Sequence, residues 1–490
     1  MTPSPAAVET LVESTEVPAP VDRAALTEHL AVLGTLLLVI WPVAAGGGGR
    51  DPGRASWLAL ATIAAVLTTR PWARLSGRAW LLAPLVAAAA LLVLPLTGAG
   101  RAGSVAALGY VDAAGLVVAV AAYARTPGRR ATVAALICAG GVAEFAWALV
   151  PWWGGAVASH PMVGTYYWHN QLAVALLLPA LLGASLAVAG RRPWRSAGWI
   201  AAPLSVAGLV LSTSRATLLC LLGGWVVVIG LAVFAAPKRR KAGVRAIVVT
   251  LLAVGVTFIL PGPPLFPTYT SPFGGTVTRA AAGETLQNNT AYRTQFWREA
   301  LIVTRAHPLA GVGYGRLAEQ ATPLVPKTWA RSPLAHSGPL QALADGGLVL
   351  ALPFFLALGA IGIGLLRPLR PRSRGGPDQA LVAGASVAAL ALIAHSLVDA
   401  DWTYAALAAQ FAIVVGLVLA ARPAGSEAAP ADANPADAVE PAEVGAVPPR
   451  VVALVGTAVL VGALGIGAFV GWGQFFHIAN VTSVAGEAHS

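Results

Sequence analysis

Residues 336–366 read HSGPLQALADGGLVLALPFFLALGAIGIGLL, and their reading decides the fold. From Gly338 the run is apolar and exceeds the 20 or so residues that a helix needs to cross a bilayer, so the sequence predicts a membrane helix over 338–366. His336 stands just before it, an ionisable imidazole at the point where a long polar connection, 261–337, gives way to lipid-compatible sequence.

Outward from this run the same pattern recurs. Of 490 residues 57% are hydrophobic and 11% charged, and the mean hydropathy is +0.72, outside the usual range of soluble domains. Apolar runs over 29–45, 55–69, 79–98, 104–124, 131–151, 170–189, 197–211, 216–236, 244–260, 379–398, 404–421 and 451–471 join 338–366. They predict an all-α polytopic membrane protein with about 12–13 transmembrane helices. The first 28 residues are polar, carry Glu9, Glu13 and Glu16, and lack the basic region and cleavage site of a secretory signal. They are expected to be a disordered cytoplasmic tail before a retained first helix. Residues 422–450 read as a Pro/Ala-rich acidic cytoplasmic linker, 451–471 as the last membrane helix and 472–490 as an extracytoplasmic tail. Cys138 and Cys220 each lie within an apolar run with no ligand-spaced partner, so neither a disulfide nor a zinc site is expected.

The net charge of +11 reports topology rather than nucleic-acid binding. Of the 32 lysines and arginines, 21 fall in connections on the side of the N-terminus, among them RPWARLSGR, RTPGRR, RRPWR, PKRRK and RPLRPRSR, and 11 on the other. The excess in short loops places the first set in the cytoplasm. The long connection 261–337 then lies outside and holds seven of the outer cations, Arg279, Arg293, Arg298, Arg305, Arg316, Lys327 and Arg331. Such a set is either a solvated loop with ion pairs or an outward-facing anion site.

Within that loop TAYRTQFWREALIVTRAH reads as a helix, with Tyr292, Phe296, Ala300 and Val303 on one face and Arg298 and Arg305 away from it. The turn HPLAGVGYGR follows, stopped by Pro308. Gly311, Gly313 and Gly315 free its backbone, either as a tight turn or as a nest of N–H groups for phosphate beside Arg316. Three further polar interruptions fall on the same side. Ser212, Thr213, Ser214 and Arg215 separate two apolar runs, and an arginine at that boundary either snorkels or meets a fixed anion. The loop WWGGAVASHPMVGTYYWHNQLA has aromatic residues suited to the membrane interface, which leave His160, His169 and Asn170 unexplained. AHSLVDADWTY puts His395 and Asp399 in the last outer turns of a helix, with Asp401 and Trp402 beyond.

Five segments in order, GTYYWHNQLAVALLL, LSTSRATLLCLL, RTQFWREALIVTRAHPLAGVGYG, AHSGPLQALADGGLVLALPF and HSLVDADWTYAALA, span roughly half the chain. Together they resemble the O-antigen ligase and O-antigen polymerase superfamily of bacterial membrane glycosyltransferases. The resemblance implies that 29–421 is a polytopic glycosyltransferase domain, with 261–337 as its extracytoplasmic catalytic loop. It implies an undecaprenyl-diphosphate-linked glycan donor, a glycan or lipid acceptor with a free hydroxyl, membrane lipid as surroundings, and an active site facing outward from the bacterial cytoplasmic membrane. His336 fits the family's AHSxxLQ pattern, with Ser337 where many relatives carry asparagine, and is the implied catalytic base. Arg215, Arg293 and Arg316 match the positions expected to bind the donor diphosphate. His169, Asn170, Ser214, Trp297, Gly313, His395 and Asp399 are further candidates for substrate binding.

No Asp-x-Asp metal motif stands in the outer segments apart from Asp399–Asp401 at a helix end, so a metal-independent transferase without cofactor is expected. The competing class is a membrane transporter of an anionic or lipid-linked solute. A transporter should show internal repeats or buried mid-bilayer charge, and within the apolar runs Asp112 and Glu144 are the exceptions.

Overall fold

The computed structural model describes residues 23–40, 52–75, 78–153, 162–166, 168–189, 194–234, 286–369 and 377–421, with isolated positions 244, 248, 251 and 252. Every regular element among them is helical. In order these are α1 (Arg23–Ile40), α2 (Pro52–Thr69), the single turn α3 (Pro71–Arg74), α4 (Leu82–Thr97), α5 (Arg101–Tyr123), α6 (Pro127–Trp153) and α7 (His169–Ala189). There follow α8 (Trp194–Leu211), α9 (Arg215–Phe234), α10 (Leu286–Ala306), the short α11 (Leu317–Ala321), α12 (Gly338–Leu366), α13 (Pro377–Ser396) and α14 (Ala405–Leu419).

Among the described residues five helices are long and apolar enough to span a membrane, at Gly103–Tyr123, Pro127–Val150, His169–Val188, Gly338–Leu369 and Asp378–Ser396. Three shorter apolar helices, Leu82–Thr97, Arg215–Val228 and Ala405–Leu419, join them. The architecture is all-α and polytopic. The expected helix 451–471, the linker 422–450 and the tail 472–490 lie outside the described residues, as do Arg279 and most of 244–260.

α7 is the central helix: 94% of its apolar window is buried within the protein, against 28% for α12, whose leucines 348, 352, 356 and 366 face outward. A helix apolar all round and buried all round is what a bundle centre requires. α7 packs on α6, α8, α9 and α13, while α5 packs on α2, α4 and α14.

Several helix starts, among them those of α1, α2, α5, α6 and α8, fall earlier than hydropathy alone places them, because polar first turns belong to the helices. The tail expected over 1–28 is already helical from Arg23. Glu28 accepts hydrogen bonds from Arg74 at 2.6 Å and Arg129 at 2.8 Å, and Arg130 pairs with Asp378 at 2.6 Å. These ion pairs tie together the connections assigned to the cytoplasm, at the opposite end of α13 from Asp399. Among the described residues, these ion pairs and the Arg293–Asp399 pair therefore lie at opposite ends of α13. A cysteine introduced at Thr285 is expected to react with a membrane-impermeant thiol reagent in intact cells and one at Ser373 to stay unlabelled; the reverse labelling would invert the orientation.

α12 is broken at Gly347, whose φ of 52° and ψ of −151° are not helical. The glycine turn threads this break. Val312 and Gly313 donate N–H bonds to the carbonyls of Ala344 and Asp345 at 2.9 Å, and Leu348 and Val349 donate to Pro308 and Leu309 at 2.9 and 3.0 Å. Each segment satisfies the backbone groups the other leaves open, as irregular backbone near the membrane must. A Cβ on Gly347 would meet the Leu309 carbonyl, and one on Gly311 the carbonyls of Ala344 and Asp345, so the interlock requires glycine on both sides.

Candidate active site

His336 lies at the outer end of α12, in the turn before Ser337, the residue that occupies the N-cap. Its φ of 48° is left-handed, a conformation rare outside glycine and asparagine. Three contacts hold it. The Trp297 indole donates to the His336 carbonyl at 3.1 Å, the Phe296 ring lies 5.4 Å from the imidazole at 31°, and Nδ1 meets Asp399 Oδ1 at 3.2 Å. Gln341 braces the turn from below: its side-chain oxygen accepts the Ala335 N–H at 2.6 Å and its amide donates to Asp345 at 2.9 Å. Gly338 packs flat against the Trp402 ring, with no room for a Cβ.

Asp399 is the hub. Besides His336 it receives Asn170 Nδ2 at 3.1 Å, Arg293 at 3.5 Å and the Ala400 N–H at 2.8 Å. Burial pushes its carboxyl up, but the hydrogen bond from His336 and the positive charges of His395 and Arg293 outweigh it and hold the group well below the usual carboxylate range. An ionised Asp399 accepts from Nδ1–H and leaves Nε2 of His336 as the free ring nitrogen. The His336 side chain is 28% exposed and that of Asp399 2%, so the imidazole is open to the surroundings and the carboxylate is not.

The other candidates divide into two groups. His169 Nδ1 donates to the Ser212 carbonyl at 2.9 Å, which brings the turn of Ser212, Thr213 and Ser214 beside the start of α7 and so beside Asn170. Ser214 shares a 2.9 Å hydrogen bond with Thr217, and Arg215 opens α9 half-buried. His395 pairs with Asp401 at 2.8 Å; with the two side chains 1% and 0% exposed, His395 sits behind Asp399 as a charge partner out of reach of a ligand. By contrast, among the described residues no hydrogen bond of Arg316 or Gly313 reaches this cluster. Arg316 donates to the Thr97 carbonyl at 2.8 Å and pairs with Glu319 at 3.2 Å. Tyr314 between them bonds the Ala90 carbonyl at 2.9 Å, so GVGYGR fastens the outer loop to α4. Its amides do not form an open nest: those of residues 311–313 are bonded to backbone carbonyls, and that of Gly315 meets the Asp345 carboxyl.

α10 presents the predicted face only in part. Ala300 and Val303 are fully buried against Val312, Leu317, Ala321, Ala335 and Ala344, whereas Tyr292 is exposed. Arg298 and Arg305 are exposed as expected. Glu299, next to Ala300 on this helix, is fully buried, with neither carboxyl oxygen hydrogen-bonded among the described residues. Burial pushes it up to about 7 against the pull of Arg331. Because the folded state holds this proton above the ordinary glutamate range, stability falls as pH rises from about 4 through 7. Glu299→Gln is expected to raise the melting temperature in detergent at pH 8 and to leave it unchanged at pH 5; an equal shift at both would remove the ionisation from the account.

A model of the O-antigen ligase family matches residues 200–355, from α8 to the middle of α12, including the Arg215, Arg293 and His336 positions. Over that stretch the chain is similar to the O-antigen ligase family. No curated protein matches it significantly. Residues outside the match complete the cluster: Asn170 precedes it and Asp399 follows it. Sequence reading missed Gln341 as a site residue although AHSxxLQ contains it, and missed Phe296, whose ring reads simply as part of an apolar face. Asp401 was visible only as one half of a possible metal pair.

Proposed function

We propose that this chain is a membrane glycosyltransferase that moves a glycan from undecaprenyl diphosphate to an acceptor hydroxyl on the outer face of the bacterial cytoplasmic membrane, building or attaching a surface polysaccharide. The observation that carries the proposal is the accessible His336 held through Nδ1 by a buried, ionised Asp399, with cationic Arg293 at the same carboxylate. The acceptor O–H donates to Nε2 of His336, which takes the proton as the oxygen attacks the anomeric carbon. The bond from that carbon to the diphosphate breaks, and the lipid diphosphate leaves with the bonding electrons. Asp399 stabilises the imidazolium that forms. Arg293, and Arg215 across the Ser212 turn, supply fixed positive charge for the leaving diphosphate, and a guanidinium suits phosphate oxygens because its donors match them in pairs. Arg316 belongs to the same proposal as a contact farther along the donor, with its guanidinium one-third exposed at the end of α4.

Deleting the gene is expected to remove one polysaccharide from the cell surface and to accumulate its lipid-linked precursor, with rescue by the wild-type gene and none by His336→Ala. Loss of the surface glycan without precursor accumulation would point to a step before transfer.

A further inference from the structure

Residues 162–166, shortly before α7, turn inward, and one carboxylate holds them there. Met162 and Tyr166 are fully buried, and the Met162 N–H donates to the Leu211 carbonyl at 3.2 Å. Glu144, in α6, accepts the Thr165 N–H at 2.8 Å and takes the Thr165 hydroxyl at 2.9 and 2.8 Å on its two oxygens. It lies in the apolar span Pro127–Val150, about 9 Å below its outer end at 1.5 Å per residue. At that depth a free backbone N–H finds no water, and a buried carboxylate is equally unfavourable without donors. Each answers the other, and among the described residues no cation pairs with Glu144. Gly164, at φ 60°, completes the fit, since a Cβ there would meet Glu144 Oε1, Ala148 and Leu172. On its other side Tyr166 takes a 3.5 Å hydrogen bond from Gln410 of α14.

The chain leaves this anchor and, four and five residues after Thr165, starts α7 with His169 and Asn170. These bond the Ser212 carbonyl and Asp399. We propose that Glu144 is a positioning residue for the reaction, which by accepting from Thr165 fixes the inward turn and thereby the register at which Asn170 meets Asp399. The proposal rests on the reading of His336 and Asp399 as the reacting centre. It gives a role to one of the two acidic residues that interrupt the apolar runs, and the role is exerted through Asn170 without contact with substrate.

Two measurements test it, one independent of activity. In nanodiscs, Glu144→Ala is expected to raise amide exchange over residues 162–172 by about tenfold or more while the rest of α6 is unchanged. Thr165→Val, which removes the hydroxyl and keeps the N–H, should raise it less. In the transfer assay, Glu144→Ala is expected to lower kcat by about tenfold with the donor KM little changed, and to cost less than about twofold further in an Asn170→Ala background, because both act through one contact. Unchanged exchange in Glu144→Ala, or a full independent cost on top of Asn170→Ala, would overturn the proposal. Should Glu144→Ala fail to insert, Thr165→Val decides, since unchanged exchange and rate in that variant also overturn it. A wild-type protein without transferase activity would sink the assignment of the reacting centre, and the exchange measurement would then decide the role of Glu144 in the turn by itself.

Discussion

Purified His336→Asn is expected to lose glycan transfer by about 10²–10⁴-fold, the range for a missing general base, while still inserting and still binding the undecaprenyl diphosphate donor. Asparagine is the informative replacement. His336 sits at φ 48°, and asparagine tolerates that backbone far better than alanine, so loss of function in this variant is not loss of the turn. The structure also removes the main structural alternative. The N-cap of α12 is Ser337, not His336, so a capping role for the imidazole is excluded. The backbone contact that does hold the turn, Trp297 to the His336 carbonyl, survives any side-chain change at 336. Near-normal turnover of His336→Asn would end the general-base assignment.

Arg215→Lys is expected to lower kcat/KM by about tenfold or more, at least 1.4 kcal/mol in transition-state terms, and Arg215→Ala by about 10²-fold. Lysine keeps the charge and gives up the paired donors. Arg215 has no hydrogen-bond or ion-pair partner among the described residues, in contrast to Arg316, which is engaged with Thr97 and Glu319. An unpaired guanidinium at the outer end of a membrane helix suits an anion that arrives with the substrate. Arg316→Ala is accordingly the milder variant. If the Arg215 variants transfer normally at wild-type expression, the leaving diphosphate is held by other groups.

Much of this was legible in the sequence, for reasons that differ by element. The span 338–366 agrees with α12 at both ends, because Pro339 marks the first turn and the apolar run stops at Arg367. The break at Gly347 was not legible, since Asp-Gly-Gly within an apolar run reads as helix until a partner strand of backbone, residues 308–313, is known to lie against it. The same interlock explains the glycine turn, whose flexibility was visible and whose hydrogen-bond partners were not. His336, Arg293, Asn170 and Asp399 stood out as polar residues on the outer side of apolar sequence, and the fold joins them. Arg316 and Gly313 stood out equally, yet a lone loop sequence does not show that Tyr314 between them anchors into α4 and α5. The burial of Glu299 was not legible, because periodicity assigns a face by its apolar members, and a buried acid on that face carries no apolar signal.

By this proposal the His336 and Asp399 centre transfers a glycan from a lipid diphosphate. The most direct test is wild-type protein in nanodiscs given purified undecaprenyl-diphosphate-linked glycan and a hydroxyl acceptor, with both products followed by mass spectrometry. One new glycosidic bond is expected for each undecaprenyl diphosphate released, with both products absent for His336→Asn. A donor that stays intact, or that crosses the bilayer unchanged in proteoliposomes, would contradict it and favour a transporter.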